Sequence, residues 1–108
     1  MRAPSDCHNM ADLRTEIDTL DRRLIAILAE RMTYIDRAAA IKARDGLAAN
    51  IPERVEEVVS NIKKLSREAD FPEALAESLW REMIAFAIAR EEAILSSTKE
   101  GSDDGNTD

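Results

Sequence analysis

Three charged residues fall in phase with the apolar stripes around them, and they set the chemistry open to this chain. At about 100° per residue, Leu24, Arg31, Ile35, Ala38 and Lys42 share a narrow sector of one helical face. Two cations therefore point where apolar side chains point. Eleven residues separate them, about 16 Å of helix axis, and both are long enough to converge on a ligand held between them. Further on, Glu91 follows Trp80, Ile84 and Ala87 at steps of 4, 3 and 4, so it points inward too. A lone buried charge is costly, so inward charges need partners or a ligand. The sharpest reading is a small apolar pocket for a dianion. The plainer one is a cation snorkelling at the stripe's edge, or an internal salt bridge with Glu91.

Two more residues belong with these. Arg14 lies 17 residues before Arg31, about 25 Å along a continuous helix, so the two share no site within one chain. In an intertwined antiparallel dimer, Arg14 of one chain enters the other's pocket. Its plainer reading is a solvated arginine paired with Asp18 at i+4. Glu53 is explained as a first-turn acid favoured by the helix dipole. Arg54 and Arg90 read as surface charges, Trp80 as core, Cys7 as a spectator and His8 as exposed.

Breakers define the elements that position these side chains. Among 108 residues there are three glycines and three prolines, and they leave 5–45, 53–71 and 73–100 uninterrupted. Such stretches, rich in Ala, Leu, Glu and Arg, favour helix, so an all-β or parallel α/β fold is excluded. The first helix starts at Asn9 with Asp12 three residues on, a weak variant of the capping box, and stops at Asp45-Gly46. Its stripe runs through Leu13, Ile17, Leu20, Leu24, Ile27/Leu28, Ile35 and Ala38. From Met10 to Arg44 it spans about 50 Å, whereas a compact 100-residue monomer has a radius of gyration of about 13 Å. A second copy of the chain is the economical cover for that stripe. Pro52 opens a second helix facing inward with Val55, Val58, Val59, Ile62 and Leu65, and a third starts near Pro72. The expectation is an all-α fold: three helices per chain, a long first helix and an intertwined homodimer. Its helical domain spans 9–97, after an N-terminal arm over 1–8 and before a disordered acidic tail over 98–108.

Composition narrows the partners. The formal charge is −7, from 15 basic and 22 acidic residues, which argues against nucleic acid or an anionic membrane. Residues 99–108 carry −3 of it, leaving −4 for the body. One cysteine and one histidine exclude a disulfide framework and a Cys/His zinc site. No apolar run approaches a membrane span, and the opening MRAPSDCHNM lacks a signal peptide's apolar stretch. A cytoplasmic location is the expectation.

The segment LRTEIDTLDRRLIAILAERMTYIDRAAAIK (13–42), followed by IPERV (51–55), resembles the all-helical chorismate mutase family. That family's signature is "LR..ID.LD..L..LL..R", a later "A..K", and an "ER" opening the second helix. The resemblance covers residues 9–95. PSDC and MADLR ahead of the motif are similar to the isochorismate-pyruvate lyase branch of the same fold.

The resemblance implies an intertwined dimer of three-helix chains with two shared active sites and no cofactor or metal. It implies that Arg31 of one chain and Arg14 of the other bind the two carboxylates of the substrate, which suits arginine's bidentate fork. Lys42 would bond the ether oxygen of the enolpyruvyl bridge, Glu53 would accept from the ring hydroxyl, and Glu91 would stand opposite Lys42. The implied activity is rearrangement of chorismate to prephenate, in the shikimate pathway of aromatic amino acid biosynthesis. Two positions depart from the pattern: Pro52 replaces a frequent arginine, as it does in the lyase branch, and Glu91 stands where many relatives have Gln. The alternatives are cleavage of isochorismate to salicylate and pyruvate, mutase action on an amino analogue of chorismate, and a non-catalytic dimerisation module. Glu91, and the lack of aromatic residues at 86–88 other than Phe86, favour the mutase.

Overall fold

The computed structural model describes the backbone of residues 1–107 and the side chains of residues 1–97. A single 3-10 turn, Pro4–Asp6, precedes helices α1 (Met10–Asp45), α2 (Pro52–Glu68) and α3 (Glu73–Thr107), with no strand among the described residues. The fold is all-α with a long first helix, as the breaker positions require. The expected disordered tail, 98–108, lies outside the residues whose side chains are described. No described helix is long and apolar enough to cross a membrane.

The helix ends follow from local chemistry. Asn9 Oδ1 accepts from the Asp12 backbone N–H at 2.8 Å and caps α1, while Asp12 Oδ2 accepts from the His8 N–H at 3.5 Å. The reciprocal bond thus reaches one residue further back than in a standard capping box. At the other end Gly46 is left-handed (φ +69°), and the Leu47 N–H bonds the Lys42 carbonyl at 2.8 Å, a Schellman closure. Helix α2 closes in the same way: Asp70 has φ +55°, and the Phe71 N–H bonds the Ser66 carbonyl at 2.8 Å. A Cβ added at Gly46 meets nothing within 4 Å, so Gly46→Ala costs only backbone strain, about 1 kcal/mol. Asp70→Gly relieves the same strain and is expected to raise stability by up to about 1 kcal/mol. Urea midpoints moving in opposite directions for the two variants are the expected result; a loss in both contradicts it.

The chain divides into two compact units, Met1–Tyr34 and Ile35–Asp108. In the first, the N-terminal arm folds back on α1: the Arg2 guanidinium lies 2.7 Å from Asp12, and the Arg2 N–H bonds Glu16 at 3.1 Å. No residue of this unit is buried. Ile17, Leu20, Leu24 and Ile27 are about half exposed, so the stripe is not covered within this unit.

In the second unit α2 and α3 pack as an antiparallel pair. Ion pairs follow that direction, from Arg67–Glu73 through Lys63–Glu77 to Arg81–Glu56. The core is built from small residues, Ala39, Ala49, Val59, Ala76 and Ala87. Leu65, Leu75 and Leu79, which the periodicity points inward, are 56%, 49% and 43% exposed. Periodicity identifies the apolar face correctly; it says nothing about whether the same chain covers it.

Candidate active site

Lys42 and Glu91 meet in the second unit. The Lys42 Nζ lies 3.0 Å from Glu91 Oε1 and donates to the Ala49 carbonyl at 2.8 Å. The turn at Gly46 makes this possible, because it reverses the chain so that the buried Ala49 lies over the last turn of α1. Glu91 is only 4% exposed. Its Oε1, although close to the ammonium, has no hydrogen bond of acceptable alignment. An acceptor buried without a hydrogen bond is costly, and a group that supplies or takes one there gains accordingly. The internal salt bridge weighed from the sequence is therefore present, and it leaves bonding capacity unused.

An apolar groove lies on the same face of α3 as Glu91. Ile84 and Ile88 precede Glu91 on the same face of α3, and with Pro52 and Val55 of α2 they line a groove of about 310 Å³. Glu56 and Arg81 also border it. Arg81 is held bidentately by Glu56, at 3.0 and 3.1 Å, and bonds Glu77 at 2.8 Å. These acids raise the Arg81 pKa, and Arg81 in turn holds both carboxyls below their usual range.

Of the other expected site residues, Glu53 sits exposed in the first turn of α2, with no polar partner among the described residues. Arg31 and Arg14 belong to the first unit, where Arg31 is half-buried and Arg14 exposed. Neither has an ion pair among the described residues, so the Arg14–Asp18 pairing weighed above is not formed.

Sequence reasoning missed two features. The Ala49 carbonyl as an acceptor for Lys42 depends on the path of a loop. Arg90, read as a surface charge, grips Asp36 with both ends of its fork, Nε to Oδ1 at 2.6 Å and Nη2 to Oδ2 at 3.0 Å. Arg90's hydrogen bonds hold the Asp36 carboxyl below its usual range. No spacing rule connects residues on different helices, so only their charge types hinted at the pair.

Comparison with known proteins places the chain. Residues 13–99 match the family described as chorismate mutase type II. The chain is 31% identical over 91 residues to the isochorismate pyruvate lyase of Pseudomonas aeruginosa, covering 84% of this chain and 89% of the relative. It is 28% identical over 90 residues to the chorismate mutase of Methanocaldococcus jannaschii, covering 83% and 91%. The bifunctional chorismate mutase/prephenate dehydratase of Aquifex aeolicus is 31% identical over 88 residues, covering 79% of this chain and only 24% of the relative. The chain belongs to the chorismate mutase type II family and is an enzyme, an isomerase by family.

Proposed function

We propose that this protein rearranges chorismate to prephenate, working as a homodimer with shared sites. The observation that carries the reading is the buried Lys42–Glu91 pair, with its unused acceptor. In the reaction the ether C–O bond breaks while a C–C bond forms between the enolpyruvyl methylene and the ring, with no atom gained or lost. The protein has to fold the enolpyruvyl arm over the ring and stabilise negative charge growing on the ether oxygen. Lys42 supplies the positive charge at that oxygen. Glu91, once protonated, donates to it from the opposite side. Arg31 of the same chain and Arg14 of the partner chain each hold a carboxylate, and Glu53 accepts from the ring hydroxyl.

A second copy is supported by the half-exposed Ile17, Leu20, Leu24 and Ile27, an apolar row without cover inside its own unit. Prephenate places the enzyme in aromatic amino acid biosynthesis. A second reading, cleavage of isochorismate to salicylate and pyruvate, is favoured by the name of the 31%-identical Pseudomonas relative and by Pro52. The same positioning residues serve either substrate.

Arg31→Ala separates both enzymatic readings from a non-catalytic dimer. It is expected to lower kcat/KM by about 100-fold or more while circular dichroism and oligomeric state stay unchanged, since it removes a bidentate carboxylate partner. Full turnover in the folded variant excludes the role given to Arg31.

A further inference from the structure

The geometry points to Asp36 and Arg90 as a positioning clamp that sets the Lys42–Glu91 pair, an assignment that rests on the proposed chemistry of that pair. Within the second unit, the close helix packing is between α2 and α3. Among the described residues, the polar bonds from α1 to α3 are Lys42–Glu91 and Asp36–Arg90.

Their arrangement does more than either bond alone. On α3 the two anchors are consecutive residues, Arg90 and Glu91, and so diverge by about 100° around that helix. On α1 their partners are six residues apart, about 9 Å along the axis, and about 120° apart around it. One bond permits α3 to turn or slide about its point of attachment. Two divergent bonds, one of them a planar two-point fork, oppose both motions.

Glu91 is the residue for which this matters. Its Oε1 has no hydrogen bond to fix it, and Lys42 reaches it from the last turn of α1, which ends in a loop. The fork on Asp36 holds the neighbouring residue of α3 and thereby the direction in which Glu91 projects. The pair is partly exposed, 42% at Arg90 and 40% at Asp36, so it adds little to stability and its removal leaves the helices folded. Because Arg90 holds the Asp36 carboxyl below its usual range, the clamp stays charged at any neutral assay pH.

The test compares Asp36→Asn, Arg90→Lys and the reversed pair Asp36→Arg/Arg90→Asp, all assayed with chorismate. Asp36→Asn is expected to lower kcat roughly ten-fold with KM within about two-fold, because misplacement near the reacting atoms costs rate rather than binding. Arg90→Lys, which keeps the charge and loses the fork, falls between. The reversed pair recovers most of kcat. In a Glu91→Ala background Asp36→Asn causes no further loss, since a clamp acting through Glu91 has nothing left to position. A lowered Tm with unchanged kcat overturns the clamp, as does failure of the reversed pair to recover. Equal losses with and without Glu91 also overturn it. Should the parent protein turn over neither chorismate nor isochorismate, the functional reading fails and takes the clamp's role with it.

Discussion

Lys42→Ala lowers kcat/KM for chorismate by about three orders of magnitude, the loss expected when a preorganised charge is removed from a developing oxyanion. The ammonium sits 3.0 Å from a carboxylate oxygen that is itself buried, with 18% of the lysine side chain exposed. It is tethered to the Ala49 carbonyl at 2.8 Å and so is ordered before any substrate arrives. Removing it has two consequences that need separating. The reaction loses its positive charge, and Glu91 is left buried without a counter-ion, which destabilises the fold by about 3–5 kcal/mol. The double variant Lys42→Ala/Glu91→Gln removes the second problem and keeps the first. Its stability in urea returns towards the parent value while turnover stays lost. Recovery of turnover along with stability would show that Lys42 acts only as a structural partner.

Glu91→Gln keeps or raises turnover, whereas Glu91→Ala lowers kcat/KM by about 100-fold, the loss of one donor aimed at a developing oxyanion. In the proposed chemistry Glu91 helps only as a donor, because an ionised carboxylate repels charge growing on the ether oxygen. In the free protein it forms an ion pair with Lys42. Substrate binding between the two therefore has to bring a proton to Glu91. Glutamine needs no such proton, because its amide N–H donates to the ether oxygen as it stands. Alanine offers no donor, so kcat/KM of the two variants compared at a single pH reads the donor alone. Equal losses in Glu91→Gln and Glu91→Ala would remove Glu91 as a donor from the mechanism.

The parts of this account legible in the sequence are those governed by short-range rules. Asn9, Gly46 and Pro52 mark helix ends through capping, left-handed geometry and the missing N–H of proline, and all three act as the rules require. Glu91 was placed inward by its spacing from Ala87, Ile84 and Trp80, and it is buried. Its pairing with Lys42 was already the plainer of the two readings. What escaped depends on three-dimensional neighbours. Asp36 and Arg90 lie 54 residues apart on different helices, and nothing in their spacing joins them. Asp70 adopts the left-handed turn that Gly46 adopts, although its residue type carries a weaker signal. The stripe through Ile17, Leu20 and Leu24 was correctly apolar, yet periodicity cannot name its cover. Its exposure within the first unit is the strongest support for a second copy.

The most direct test of the central claim offers the purified protein chorismate and isochorismate in separate reactions and identifies the products by mass spectrometry and ultraviolet absorbance. Prephenate from chorismate, at a rate far above the uncatalysed rearrangement, is the expected result. Salicylate and pyruvate from isochorismate, with chorismate left untouched, would contradict it.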